Sequence, residues 1–273
     1  MSTLEAIIIG IVQGLTEFLP ISSSGHLVIV PEFMNMQESP PLAFDVLLHL
    51  ATALAVAGYF ARELVKIVLS FAAPGRLPAL EVKEWRRLGL WLVVGTVPAA
   101  VVGFSFRSFF ESLFESTLSV GIFFLVTSAL LWAAERAARR SSAGRRRPLD
   151  RLGALDALVI GAFQALAIAP GISRSGATIS GGIFLGLDRE QAAHFSFLLS
   201  LPVILGAGVL NLPGMTDGFQ GQTSAYIGGA VAAFVSSFFA VHFMLRFLKS
   251  HGLLPFSVYT LGVGLVVTVL SLL

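Results

Sequence analysis

The sequence predicts an all-α polytopic membrane protein built as two inverted repeats, each a re-entrant helical hairpin plus three transmembrane helices. Three observations predict it: a scarcity of charge, recurring apolar stretches of spanning length, and two matching polar interruptions. Only 12% of the 273 residues are charged and 55% are hydrophobic, with a mean hydropathy of +0.84. A soluble domain carries roughly 25% charged residues, so this chain cannot cover its own surface with groups that water solvates. The absence of cysteine excludes disulfides and thiolate metal sites. The net charge is only +2, and the basic residues are confined to certain loops. That pattern encodes topology and points away from nucleic-acid binding.

Apolar segments fall at about 4–19, 43–60, 88–106, 117–134, 153–169, 177–187, 194–212, 223–245 and 253–273, several of them near the ~20 residues that cross a hydrocarbon core. The first is expected to belong to the mature fold rather than to a signal peptide. It has no basic leader, carries Glu5, and runs into Gln13 and Glu17 instead of a small-residue cleavage site. The interruptions read Pro20-Ile21-Ser22-Ser23-Ser24-Gly25-His26 and Pro170-Gly171-Ile172-Ser173-Arg174-Ser175-Gly176-Ala177-Thr178.

At an offset of 151 residues the chain matches itself. Gly10 meets Gly161, Gln13 meets Gln164, Ser22 meets Ser173, Ser24 meets Ser175 and Gly25 meets Gly176. The register continues through Phe44/Phe195, Leu47/Leu198, Leu48/Leu199 and Leu50/Leu201. Leucine matching leucine carries little information in a membrane protein; glutamine, serine and glycine matching in one register carries much. A third helix aligns Gly95 through Ala100 with Gly228 through Ala233. Repeat one is thus 1–134 with its re-entrant loop at 20–30, a basic linker is 135–151, and repeat two is 152–273 with its loop at 170–178.

Basic residues set the orientation. Arg62, Lys66, Arg76, Lys83, Arg86 and Arg87 precede the third segment, and Arg136, Arg139, Arg140, Arg145, Arg146, Arg147 and Arg151 follow the fourth. Arg189, Arg246 and Lys249 flank later spans, while the loops near 31–42, 107–116 and 213–222 hold only Arg107. By the positive-inside rule the basic loops are cytoplasmic. The pattern closes only if 1–30 enters and leaves on the outer face, which makes the repeats inverted. Irregular backbone at such depth is tolerated where protein or a water-filled cavity satisfies it, and helix N-termini near the midplane commonly face anionic ligands.

Charge inside a bilayer costs about 2.5–3.5 kcal/mol per residue even on the permissive insertion scale, so Glu17, His26 and Arg174 need a reason. A purely structural one is a buried ion pair with His26 as a satisfied hydrogen-bond partner. The repeat comparison points further, because the copies differ where chemistry needs them to: Glu17 faces Ile168, Ser23 faces Arg174 and His26 faces Ala177. Gln13, Ser22, Ser24 and Gly25 match their counterparts and form shared scaffold that is expected to bind the substrate. An acid, a hydroxyl and an imidazole make a nucleophile-and-base set. A guanidinium with the hydroxyls of Ser173, Ser175 and Thr178, and amides exposed by Gly176, makes a phosphate site. Together they describe phosphoryl transfer. Asp45 and His49, four residues apart, read as a mutually satisfied polar pair or as lining of the site. His194, His242 and His251 read as interfacial.

Gln13-Gly-Leu-Thr-Glu17 followed by Ser22-Ser23-Ser24-Gly25-His26 resembles the Glu/Gln-xxx-Glu and Ser-Ser-x-Gly-His elements of the bacterial undecaprenyl-diphosphatases linked to bacitracin resistance. Pro170-Gly-Ile-Ser173-Arg174-Ser-Gly-Ala-Thr178 resembles their Pro-Gly-x-Ser-Arg-Ser-x-x-Thr element, and the likeness covers essentially the whole chain. It implies hydrolysis of undecaprenyl diphosphate to undecaprenyl phosphate and inorganic phosphate, recycling the lipid carrier for peptidoglycan synthesis. It also implies a homodimer in the bacterial inner membrane, a site open to the periplasm, and a divalent cation, magnesium or calcium. Catalytic weight falls on Glu17, Ser23, His26, Ser173, Arg174 and Thr178, and the metal on Glu17 and Gln13. Gln13 stands where other members have Glu; its amide oxygen can coordinate a hard cation but adds no charge. Three mechanisms remain open: attack by Ser23 with His26 as base, attack by His26, or water activated by Glu17 or His26. A polyprenyl-phosphate transporter or flippase is the rival reading, since broken helices at the midplane are also a transporter design; a passive channel or structural protein is another.

Overall fold

The computed structural model describes residues 1–34, 36, 40–140, 147–211 and 222–273, and among them lie twelve α-helices. Helices α1 (Thr3–Phe18) and α2 (Ser23–Phe33) form one hairpin, and α8 (Ala154–Leu166) and α9 (Arg174–Phe184) form another. Six helices are long and apolar enough to cross a membrane: α3 (Leu42–Tyr59), α5 (Ala79–Ser105), α7 (Thr117–Arg140), α10 (Arg189–Asn211), α11 (Thr223–Leu248) and α12 (Leu254–Leu272). Amphipathic α4 (Ala61–Ala72) and short α6 (Arg107–Phe114) join spans. Gln37, Arg145, Arg146 and most of the expected 213–222 loop lie outside the described residues.

Local chemistry explains the boundaries. Ser2 and Glu5 make a capping box that starts α1: the Glu5 amide donates to Ser2 Oγ at 3.2 Å, and the Ser2 amide donates to Glu5 Oε2 at 2.6 Å. Serines 22 and 173 cap α2 and α9 through the amides of Gly25 and Gly176, at 3.3 and 3.1 Å. The interruptions are therefore shorter than expected. Ser23 to His26 and Arg174 to Thr178 sit in the first turns of helices, not in loops. Two further segments differ from expectation. The basic stretch after residue 60 is helical through α4 and resumes in α5 at Ala79, and α6 lies within the expected 107–116 loop. Helix α7 also runs on to Arg140, into the expected linker, and Arg147 is no mere topology signal: its guanidinium pairs with Asp156 at 2.9 Å at the start of α8.

Contacts fix the relative directions of the helices. Phe44 meets Tyr226 near the starts of α3 and α11, and Tyr59 meets His242 near their ends, so these two run parallel. Leu50 faces Gly208 while Phe60 faces His194, so α10 runs opposite to α3. Gly121 packs on Thr268 and Gly264 on Leu125, so α7 and α12 are antiparallel. Buried Glu135, late in α7, accepts from Arg189 at the start of α10 (2.8 Å) and from the Leu253 amide at the start of α12 (3.0 Å). Trp91 and Phe195 border one cleft and Gly95 faces Leu199, so α5 runs with α10. Spans α3, α7 and α11 thus run one way and α5, α10 and α12 the other, and the described lysines and arginines other than Arg107 and Arg174 gather at one end of the bundle.

The hairpins enter from opposite ends. Helix α1 lies parallel to α11, from Thr3 beside Ser224 (3.3 Å) to Gly14 beside Ala233 and Ser237. Helix α8 lies parallel to α5, from Leu152, whose carbonyl accepts from Trp91 (2.9 Å), to Gly161 beside Gly95 and Pro98. Each approach is set by glycine. A Cβ on Gly10 would run into the Gly229 carbonyl oxygen, and one on Gly161 into that of Gly95. Gly229 thus receives Gly10 as Gly95 receives Gly161, whereas the sequence alignment sets Gly95 against the neighbouring Gly228.

Gly10→Val is expected to cost about 1–3 kcal/mol through overpacking, read as a fall of several degrees in thermal unfolding in detergent. Gly206→Ala, at a position with open space around it, should be neutral or slightly stabilising.

Candidate active site

The first turns of α2 and α9 converge on one carboxylate. Glu17, in the last turn of α1, is 7% exposed. Ser23 Oγ donates to its Oε2 at 2.6 Å, and Arg174 Nη2 donates to its Oε1 at 2.6 Å. Gln13, one turn earlier, donates from Nε2 to Oε2 at 3.0 Å. Of the residues that differ between the two matched segments, Glu17, Ser23 and Arg174 touch, whereas His26 does not join them. A buried carboxylate with a matched guanidinium and a hydroxyl satisfies the desolvation demand that either charge alone would leave open.

The scaffold residues hold these three in place. Ser22 and Ser24 exchange a hydroxyl contact at 3.2 Å, and Ser173 and Ser175 repeat it at 3.2 Å. Ser175 also donates to the Leu19 carbonyl at 3.0 Å, tying the second tip to the first. Gly25 packs against Phe124 and the Cα of Gly171, so a side chain there would push the tips apart. Gly171 has φ +99°, which favours glycine. Its carbonyl accepts from Thr127 at 2.9 Å, and Thr127 in turn accepts from the Ser173 amide at 3.0 Å. Thr178 lies one turn below Arg174, bonded to the Arg174 carbonyl at 2.8 Å and to Ser196 Oγ at 2.6 Å. The Ser196 carbonyl accepts from Arg174 Nη1 at 3.4 Å, and the guanidinium lies 5.7 Å from the Phe18 ring centroid. Thr178 and Ser196 therefore buttress the guanidinium from below.

His26 stands apart. Its ring contacts Ser22, Tyr259 and Phe124, and among the described residues it makes no bond to Ser23, Glu17 or Arg174. The expected Asp45–His49 side-chain pair is replaced by a different arrangement: His49 Nδ1 donates to the Asp45 backbone carbonyl at 2.8 Å, and its Nε2 faces Glu17 Oε2 at 3.8 Å. His49 is thus a site residue that the sequence placed only as one of two readings. The other histidines pair elsewhere: His194 with Glu63, His242 with Tyr59 and His251 with Ser250. Ser196 and Tyr259 are not singled out by sequence, because a serine or a tyrosine is an ordinary residue of an apolar span.

A family model described as "Bacitracin resistance protein BacA" matches residues 6–266. The chain belongs to this family. It is 43% identical over 277 residues to a protein of Carboxydothermus hydrogenoformans named undecaprenyl-diphosphatase, covering 99% of this chain and 98% of that one. Proteins of the same name from Alkaliphilus metalliredigens and Moorella thermoacetica are each 40% identical, covering 100% and 95% of this chain and 100% and 94% of theirs. The BacA match spans both hairpins and nearly all of the six spans, so the family assignment and the converging tips concern one and the same unit.

The ion pair predicts a thermal signature. Glu17→Ala leaves Arg174 buried beside no counter-charge and should cost about 3–5 kcal/mol. The double variant Glu17→Ala/Arg174→Met should recover a substantial part of that loss, read as melting temperature in detergent.

Proposed function

We propose that the chain is an integral-membrane phosphatase that hydrolyses undecaprenyl diphosphate to undecaprenyl phosphate and inorganic phosphate, returning the lipid carrier to peptidoglycan synthesis and supporting bacitracin resistance. The observation that carries this reading is the sharing of Glu17 by Ser23 and Arg174. A nucleophile, its proton acceptor and a bidentate anion binder meet at two helix N-termini, which favour phosphate. The geometry favours none of the three mechanisms left open by sequence as it stood: it keeps Ser23 as the nucleophile of the first, but gives Glu17, which accepts from Ser23 at 2.6 Å, the place of the base assigned there to His26. Arg174 exchanges Glu17 for non-bridging oxygens of the diphosphate. Ser23 Oγ attacks the terminal phosphorus as its proton passes to Glu17, and the bond to the bridging oxygen breaks, releasing undecaprenyl phosphate. Water then hydrolyses the phosphoserine and releases inorganic phosphate, and the departing serine takes a proton back.

The residues present fit a divalent cation with few protein ligands. Glu17 offers a carboxylate, and Gln13 is fully buried with its Oε1 lacking a hydrogen-bond partner. Rotating that amide by half a turn brings the oxygen toward Glu17. His49 Nε2 adds a third donor, its Nδ1 tied to a carbonyl as in metal-binding histidines. Among the described residues no group of three His, Cys, Asp or Glu side chains is arranged to hold a metal ion, so magnesium or calcium here would take most of its ligands from the diphosphate and water. Bound there, the cation would neutralise charge on the phosphates.

The same proposal reads the halves as inverted repeats. The first helix of each hairpin packs parallel to the second span of the other half, through Gly10–Gly229 and Gly161–Gly95, and α7 and α12 exchange reciprocal contacts. It places the basic end in the cytoplasm and the site mouth, where Asp45 and His49 lie on α3, toward the periplasm. A homodimer in the bacterial inner membrane belongs to it by family resemblance.

Purified protein in detergent, which offers no second compartment for transport, should release phosphate from undecaprenyl diphosphate with magnesium or calcium. Ser23→Ala and Arg174→Ala should abolish release, and Arg174→Lys should lose about 100-fold or more, because an ammonium cannot make the bidentate contact. No release by wild type with any divalent cation would defeat the phosphatase reading. The chain has no cysteine, so orientation is testable directly. Glu115→Cys should react with an impermeant thiol reagent in right-side-out vesicles and Ser250→Cys should not; the reverse pattern would invert the topology.

A further inference from the structure

We propose that Tyr259 is a positioning residue for Ser23, acting through His26, and that His26 holds the serine turn in place without touching the substrate. The proposal rests on the phosphatase reading for its kinetic consequences, though its geometry does not.

The chain of contacts runs from α12 to α2. His26 Nδ1 lies 2.7 Å from the Ser22 carbonyl oxygen, and Nε2 lies 2.8 Å from the Tyr259 hydroxyl. A carbonyl can only accept, so Nδ1 carries the proton, and in the neutral ring Nε2 accepts from the Tyr259 hydroxyl. The two rings are nearly parallel, 7° apart with centroids at 5.8 Å, and Phe124 meets the imidazole edge-on at 5.3 Å. Both ring nitrogens are occupied and the residue is 6% exposed. An imidazole held in this way has no free nitrogen to attack phosphorus or to take the Ser23 proton.

What it does hold is strained backbone. Ser22 has φ 68° and ψ 96°, and among the described residues it alone has positive φ without being glycine. Such conformations persist where the surroundings over-determine them, and they cluster at active sites. The next residue is Ser23, whose hydroxyl the turn delivers to Glu17 at 2.6 Å. The other hairpin supplies a comparison within the same molecule. There Ser173 occupies the equivalent cap with ordinary φ −71° and ψ 119°, Ala177 stands where His26 does, and the next residue is Arg174. Strain, imidazole and nucleophile occur together in one hairpin and are absent together from the other.

Full-length variants in detergent test the proposal through phosphate release, with kcat and KM separated. Tyr259→Phe should lower kcat by about fivefold to tenfold, the scale of one lost hydrogen bond, with KM within about twofold. His26→Ala should lower kcat by about 100-fold. His26→Asn, whose amide nitrogen takes the place of Nδ1 and can still donate to the Ser22 carbonyl, should recover at least about tenfold of that loss. Trapped turnover mixtures should yield acid-stable phosphoserine. Asparagine as inactive as alanine, a phosphohistidine at position 26, or Tyr259→Phe indistinguishable from wild type would each overturn the proposal. A wild type that releases no phosphate would defeat the phosphatase reading instead. The ¹⁵N resonances of the His26 ring then decide: the Nδ1-protonated neutral tautomer, with its Nε2 shift moved by Tyr259→Phe, supports the clamp, and the Nε2-protonated tautomer overturns it.

Discussion

Placing a carboxylate opposite a guanidinium deep in an apolar bundle constrains everything around it. Glu17 and Arg174 belong to different hairpins, 157 residues apart in sequence, and must meet at 2.6 Å. Neither charge can be left alone there, since removing one partner of a buried pair strands the other without solvent. The tips of both hairpins therefore have to arrive together. Two features bring them together: the glycine contacts that let α1 lie on α11 and α8 on α5, and the Gly25–Gly171 contact that lets the tips touch. The outer packing can be understood as what keeps this one contact short.

Stability alone does not account for keeping such a pair. Apolar side chains of similar volume often replace a buried pair without loss, and the surrounding bundle is apolar already. What an apolar replacement could not supply is the exchange available at Glu17. In the resting arrangement its carboxylate neutralises Arg174 and accepts from Ser23. In the proposed mechanism a diphosphate competes for the guanidinium, and as it wins, the carboxylate loses its counter-charge and becomes a stronger proton acceptor beside the serine. Substrate binding and nucleophile activation are then one event at one side chain.

Much of this architecture was legible in the residues because membrane insertion makes polar groups costly. Composition and segment length gave the six spans, and the matched glutamines, serines and glycines exposed the two hairpins. Glu17 and Arg174 stood out as charges in apolar surroundings. The parts that were not legible share a physical reason: their signal is not confined to polarity. Helices α4 and α6 are short and amphipathic, so their basic residues read as loop. A one-residue slip between Gly228 and Gly229 leaves glycine aligned with glycine and hides which one makes the close approach. Asp45 and His49 have helical spacing, but spacing does not say whether the imidazole bonds the carboxylate or the backbone carbonyl behind it. Tyr259 looks like any aromatic residue of a span until the structure turns its hydroxyl toward His26.

The two hairpins share a pattern of residues and differ at the positions that meet. Both retain a serine cap, a serine two residues later and a glycine after that, so both present a helix N-terminus toward the centre. The first residue of each helix then decides the role: serine in one, arginine in the other. The arginine needs no unusual backbone, because a long side chain reaches its partner from a relaxed turn, and Ser173 is accordingly relaxed. The serine has a side chain of one carbon and cannot reach, so the backbone must carry it. That requirement is met by the left-handed turn at Ser22, and the residues that hold such a turn must come from outside it. In the proposed clamp His26, backed by Tyr259 of α12, fills that place, and the second hairpin, whose arginine reaches from a relaxed turn, has Ala177 there.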